Sequence, residues 1–278
     1  MQKPFELAPG VAVGAGLLPV IAGPCVIESE ALALEAASSL QAIARRLDLP
    51  LVYKSSFDKA NRSSIESFRG PGLAEGLRVL AAVAAATGLP VLTDVHEPGQ
   101  CEPAAAVCSV LQIPAFLCRQ TDLLVAAGRT GRAVAVKKGQ FMAPDDMLRV
   151  VEKVRSAGGE RVVVIERGTS FGYRDLVVDM RSFARMQRDG IAVFFDVTHS
   201  LQLPGAGERE SGGRRELAEP LARAAVGAGA DGVFLEVHPD PERALSDRAV
   251  QLPPDRAEAL LRSLRSLRRA LAAEAVVA

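Results

Sequence analysis

Eight short runs rich in Val, Ile, Leu and Phe punctuate the chain, at 19–24, 51–55, 91–94, 110–113, 133–136, 161–165, 192–195 and 232–235. Longer stretches rich in Ala, Leu and Arg separate them, with apolar residues at helical spacing most clearly at 30–46, 73–86, 145–156 and 215–228. A strand buried on both faces reads as a short continuous apolar run, and such runs alternating with amphipathic helices build βαβ units around a parallel sheet. Eight units predict a (β/α)8 TIM barrel. A closing helix is expected over 254–273, opened by Pro-Asp. The segment 5–13 alternates weakly around Pro9-Gly10 and predicts a short N-terminal β-hairpin capping the barrel bottom.

The chain has 278 residues, a length at which an α/β barrel is a single domain, here expected to span 1–278. Lys plus Arg and Asp plus Glu are 33 each, which gives no overall field for a nucleic-acid backbone, and with no Trp and two Tyr there is no aromatic stacking surface. Residues 1–16 lack the pattern of a signal peptide, and no apolar run reaches membrane length. A cytoplasmic protein that binds neither nucleic acid nor membrane is expected. Cys25, Cys101, Cys108 and Cys118 form no CxxC pair and are read as reduced thiols, the last three as core filler. The Gly- and charge-rich loop 205–213 is read as mobile.

Reacting groups of a βα barrel gather at the C-terminal ends of its strands. The polar outliers fall there: Cys25, Lys54 with Lys59, Asp94, Gln112, Lys137, Arg167, His199 and Glu236. One set is cationic: Lys54, Lys59, Arg62, Arg119, Lys137, Lys138 and Arg167. Cations converging on one mouth repel unless anions lie between them, which points to phosphate and carboxylate ligands. A second set, Cys25, His199, Glu236 and Asp247, offers thiolate, imidazole and two carboxylates from strands that adjoin when the barrel closes. That mixture suits a divalent ion such as Zn, Fe or Mn. His96 and His238 also follow strands, so spacing leaves both open as ligands.

Eight segments carry a family resemblance: GPCVIES at 23–29, YKSSFDKANRSS at 53–64, FRGPGL at 68–73, LQIPAFLCRQTDLL at 111–124, VKKGQFMAP at 136–144, ERGTSFGY at 166–173, FDVTHSLQ at 195–202 and GADGVFLEVHPDPERALSD at 229–247. In this order they resemble the 3-deoxy-D-manno-octulosonate 8-phosphate synthases. The related 3-deoxy-D-arabino-heptulosonate 7-phosphate synthases, which use erythrose 4-phosphate, typically have KPRTS where this chain reads KANRSS at 59–64. The resemblance implies condensation of phosphoenolpyruvate with arabinose 5-phosphate, a step of lipopolysaccharide biosynthesis.

Carried over by position, the resemblance implies that Lys59, Lys137, Arg167 and Gln112 hold phosphoenolpyruvate, with Lys54 and Ser56 nearby. It implies Asn61, Arg62 and Ser63 for arabinose 5-phosphate, Asp94 near the sugar, and Arg119 reaching the site of a neighbouring subunit in a homotetramer. Catalytic work is implied for Lys59, Lys137, His199 and Asp247. The family has a metal-free branch with Asn at the first-strand position, so Cys25 implies the metal-dependent branch, with Cys25, His199, Glu236 and Asp247 as ligands. Arg248 stands where relatives usually carry Gly, which leaves the conformation of that loop open.

Overall fold

A computed structural model describes residues 4–14, 16–62, 64–205 and 212–275. Ser63 and most of the 205–213 loop lie outside the described residues. Barrel strands one to eight are Val20–Gly23, Leu51–Lys54, Val91–Asp94, Val110–Ile113, Ala133–Lys137, Val162–Glu166, Ala192–Asp196 and Gly232–Glu236. They form one closed parallel barrel, each strand pairing with its sequence neighbours and strand eight returning to strand one through Val233 opposite Val20. Every residue of these strands is buried, as the apolar runs require.

Helices fill the crossovers. The first, Glu30–Leu47, starts where the Ser29 hydroxyl accepts from the Leu32 amide at 3.2 Å. Glu30 in its first turn and Arg45 and Arg46 in its last complement the helix dipole, and Asp48 ends it in a left-handed conformation at φ 50°. The helices expected at 145–156 and 215–228 each begin as a 3-10 turn, Pro144–Asp146 and Arg215–Leu217, before continuing as Met147–Arg155 and Ala218–Gly227. The closing helix is Pro254–Ala275.

The N-terminal hairpin pairs Phe5–Ala8 with Val11–Val13, and its Leu7, Ala8, Val11 and Val13 are buried against the barrel interior. That interior contains Ile21, Val52, Leu92, Val110, Ala133, Ala135, Val163, Ile165, Ala192, Phe194 and Phe234. The intervening strand residues, such as Val20, Tyr53, Leu111 and Val193, belong to the separate layer under the helices. This is the two-residue period of a strand: one face fills the barrel and the other meets the helices.

Two small hairpins lie beyond the barrel. Thr169–Phe171 pairs with Asp175–Val177 after strand six, and Gln202–Leu203 pairs with Gly212–Gly213 after strand seven. No helix of the described residues is long and apolar enough to cross a membrane.

Candidate active site

Continuing the interior register one step past the apolar filling gives Lys54 after Val52, Asp94 after Leu92, Gln112 after Val110, Lys137 after Ala135, Arg167 after Ile165, Asp196 after Phe194 and Glu236 after Phe234. These positions form the top layer of the barrel, and all are buried. Gly23 completes the ring from strand one; a Cβ there would lie 2.0 Å from the Lys54 carbonyl oxygen, so only glycine lets the two strands approach. The Phe234 ring is the floor of the charged layer, with Lys137 Nζ 3.0 Å and Lys54 Nζ 5.7 Å from its centroid.

The sequence argument from cation repulsion holds only in part. Lys54 Nζ lies 3.0 Å from Glu236 Oε1 and donates to the Cys25 carbonyl at 2.9 Å, while Lys137 pairs with Asp196. Buried carboxylates therefore already serve as counter-ions for two of the expected anion-binding cations, because an unpaired ammonium in so dry a place would be costly. Lys138 turns away from the mouth and is fixed by Glu166, 3.5 Å distant, and by the carbonyls of Met142 and Gly168.

Several polar atoms are nonetheless buried with no protein partner: Ser56 Oγ, Arg62 Nη2, Asp94 Oδ1, Gln112 Oε1, Arg167 Nε and Glu236 Oε2. Buried polar groups are nearly always bonded, so a set of orphans around one mouth marks where a ligand or water supplies the bonds. Arg62 is anchored by its Nε to the Phe68 carbonyl at 3.0 Å, and Asn61 beside it is exposed. Arg119 is also exposed, lining a cavity with Met142, Asp146, Arg149 and Lys153 on the outer side of the barrel wall.

The sulfur and oxygen ligands expected for a metal do meet. Ligand atoms of Cys25, Glu236 and Asp247 all lie within 4.8 Å of one another. His199 Nε2 faces Glu236 Oε1 at 3.4 Å and Asp247 Oδ2 at 3.9 Å. Cys25 Sγ lies 2.9 Å from Asp247 Oδ2 and 2.9 Å from Ser246 Oγ. One soft donor and two carboxylates converging, with His199 Nε2 against both carboxylates and an unpartnered Glu236 oxygen among them, fit a divalent first-row cation. Burial, reinforced by Asp247 and Glu236, pushes the free Cys25 thiol well above its usual value, so ligation would release its proton. Neither of the other two histidines joins this group: His96 Nε2 lies 3.2 Å from Asp94 Oδ2, and His238 Nδ1 accepts from the Asp240 amide at 3.0 Å while its Nε2 lies 3.4 Å from Glu28 Oε1.

Arg248 does not disturb the loop. The left-handed residue there is Asp247 itself, at φ 50°, while Arg248 has no positive φ that would call for glycine. The Asp247 carbonyl accepts from the amides of Val250 and Gln251, and Gln251 accepts from the Cys25 amide at 3.1 Å.

Four contributors were not singled out from the sequence. Asp196 accepts from the amides of Thr198 and His199 and bonds His199 Nδ1 at 2.9 Å, which leaves Nε2 as the atom turned toward the other ligands. Burial opposes its charge, but His199 and Lys137 hold its carboxyl well below the usual range. Gln202 bonds both Arg167 and Asp247, while Ser246 and Gln251 brace Cys25. The two-residue period would have found Asp196; the three neutral side chains carry no such signal.

Comparison with known proteins agrees with these motifs. The profile of the DAHP synthetase I family matches residues 3–273. The 2-dehydro-3-deoxyphosphooctonate aldolase of Trichlorobacter lovleyi is 56% identical over 267 residues, covering 96% of this chain and 98% of that protein. Proteins of the same name from Geobacter sp. strain M21 and Nitratidesulfovibrio vulgaris are 56% identical over 259 residues and 57% over 248, covering 93% and 89% of this chain and 95% and 91% of their own lengths. The chain belongs to the DAHP synthetase I family and, within it, to the 2-dehydro-3-deoxyphosphooctonate aldolases, the 3-deoxy-D-manno-octulosonate 8-phosphate synthases that its motifs resemble.

Proposed function

We propose that this protein condenses phosphoenolpyruvate with D-arabinose 5-phosphate and water, yielding 3-deoxy-D-manno-octulosonate 8-phosphate and inorganic phosphate. The observation that carries the reading is the top layer of the barrel, where Lys54, Lys137 and Arg167 stand beside the Cys25, His199, Glu236 and Asp247 cluster in one buried mouth. The names of the similar proteins point the same way.

In this reading Lys59, Lys137, Arg167 and Gln112 hold phosphoenolpyruvate, with Lys54 and Ser56 at its edge. A small trianion in a dry site needs several fixed donors, and the orphaned Arg167 Nε and Ser56 Oγ are of that kind. Lys59 keeps its proton: burial opposes its charge, but the carboxylates of Asp94, Glu236 and Asp247 hold its pKa above the ordinary value, and the Cys25 sulfur adds to this once it is a thiolate, so Lys59 acts as a fixed cation. Asn61, Arg62 and Ser63 take arabinose 5-phosphate, with Asp94 beside the sugar. C3 of phosphoenolpyruvate then bonds to the aldehyde carbon, water adds at C2, and phosphate leaves with cleavage of its C–O bond. Lys137 and Arg167 balance the charge that shifts onto the departing phosphate. Held by Cys25, His199, Glu236 and Asp247, a divalent metal would supply orientation and polarisation for the aldehyde or the water.

A homotetramer in which Arg119 serves a neighbouring site completes the proposal; exposed Phe116 and Phe141 offer apolar surface near it. The direct test is phosphate release from phosphoenolpyruvate with purified protein. Release should depend on arabinose 5-phosphate and match an eight-carbon product mole for mole, and chelator should stop it reversibly. No release with both substrates and added divalent metal would defeat the reading.

A further inference from the structure

Gln202 sits between the two halves of the mouth. It caps the 3-10 turn His199–Leu201 and pairs with Gly213, which holds its backbone extended at φ −65° and ψ 147°. Its Nε2 donates to Asp247 Oδ1 at 2.8 Å, and its Oε1 accepts from Arg167 Nη2 at 2.7 Å. A carboxylate only accepts and a guanidinium only donates, so these two neighbours fix which way the amide points.

Each bond restricts what the neighbour has left to offer. With Oδ1 occupied, the Asp247 oxygen turned toward Cys25 Sγ and His199 Nε2 is Oδ2. Arg167 Nη2 is held by Gln202 and by the His199 carbonyl at 3.2 Å, which leaves the buried, unpartnered Nε for an incoming anion. We infer that Gln202 is a positioning residue that couples the two sites: a cation held by Asp247 and an anion held by Arg167 each favour the other through this one amide. The inference rests on the proposed function, which puts phosphoenolpyruvate on Arg167 and a metal on Asp247. Its physical basis is shared ordering. Once Asp247 is immobilised, it fixes the amide, and the fixed amide presents a ready acceptor that holds Arg167 in place; the cost of ordering the chain of three side chains falls on whichever ligand arrives first.

The experiment measures Zn²⁺ affinity by chelator competition with and without phosphoenolpyruvate, and phosphoenolpyruvate affinity by calorimetry with and without Zn²⁺. In the parent protein each ligand should tighten the other by one common factor, about 5- to 150-fold for ordinary allosteric coupling. Direct attraction between a dication and a trianion also contributes to that factor, so the parent alone decides nothing. Gln202→Met keeps the length but loses both bonds, and Gln202→Glu keeps an acceptor for Arg167 while losing the donor to Asp247. Both should cut the coupling factor at least about fivefold, by more than any fall in the separate affinities. If the Met variant folds poorly, the near-isosteric Glu variant carries the test alone. A side chain that merely fills space would weaken one or both affinities and leave the factor unchanged, and that result would overturn the inference. A parent that binds no phosphoenolpyruvate at all would instead remove the functional reading, and this inference with it.

Discussion

At the bottom of the barrel, Ile21, Val52, Leu92, Ala133 and Val163 share one apolar cluster with Leu7, Val11 and Val13 of the hairpin. At the other end of the same strands, the same inward face presents Lys54, Asp94, Gln112, Lys137, Arg167, Asp196 and Glu236. Both ends are dry, yet their energetics are opposite. Burying the apolar end drives folding, while burying charges costs free energy that pairing only partly returns. The mouth therefore contributes little to folding and persists because binding requires it, a division common to enzymes. Substitutions at the two ends should separate stability from function.

The largest effect on phosphoenolpyruvate affinity should come from Lys137→Met. Truncating one member of a buried, hydrogen-bonded charge pair typically costs about 2–5 kcal/mol in binding, so phosphoenolpyruvate affinity should fall by about 30-fold or more. Asp196 keeps His199 and two amide donors, so folding should suffer less than binding. Calorimetry alongside thermal unfolding checks both, and an unchanged affinity would erase the contrast between the two ends.

Leu7→Ala is the mirror experiment. Its side chain is fully buried under the barrel, and truncation of such a leucine costs about 2–5 kcal/mol of stability. Denaturant unfolding should show that loss while KM for both substrates stays within about twofold, since Leu7 packs in the apolar cluster at the opposite end of the barrel from the mouth. A change in KM larger than the change in stability would mean that the ends communicate.

Cys25→Ala should lose metal and activity together. Cys25→Asn is more discriminating, because an amide is a poor metal ligand but can still bond the acids and water nearby. Metal analysis of the Asn variant should find little bound ion, with residual activity that chelator no longer removes. A Cys25→Ala protein that keeps stoichiometric, chelator-sensitive metal would refute the ligand assignment.

The smallest of these effects should belong to Arg62→Ala. One charge-assisted bond to a phosphate is worth about 1.5–3 kcal/mol, so KM for arabinose 5-phosphate should rise about 10- to 100-fold while that for phosphoenolpyruvate moves little. Equal changes in both would place Arg62 elsewhere in the site.

The apolar face of each strand was legible in the sequence because it fills the barrel and leaves short uninterrupted runs. The strand-seven run was read as 192–195, one residue short, because its apolar run stops at Phe195; the structure continues it to Asp196. Glu166 and Lys137 likewise extend strands six and five beyond their apolar runs. The hairpin Thr169–Phe171 with Asp175–Val177 escaped notice because its first strand is exposed on both faces and shows no alternation of apolar and polar residues. Cys25 and the charged residues other than Asp196 stood out by type and position. Gln202 and Gln251 did not, since they act through bonds spanning 45 and 226 residues of sequence that only the closed barrel brings together.

The central claim is that this mouth joins phosphoenolpyruvate to a five-carbon phosphosugar. The most direct measurement is kcat/KM for arabinose 5-phosphate against erythrose 4-phosphate, at saturating phosphoenolpyruvate with divalent metal present. The account predicts turnover dominated by arabinose 5-phosphate and an eight-carbon product; preference for erythrose 4-phosphate, with a seven-carbon product, would contradict it.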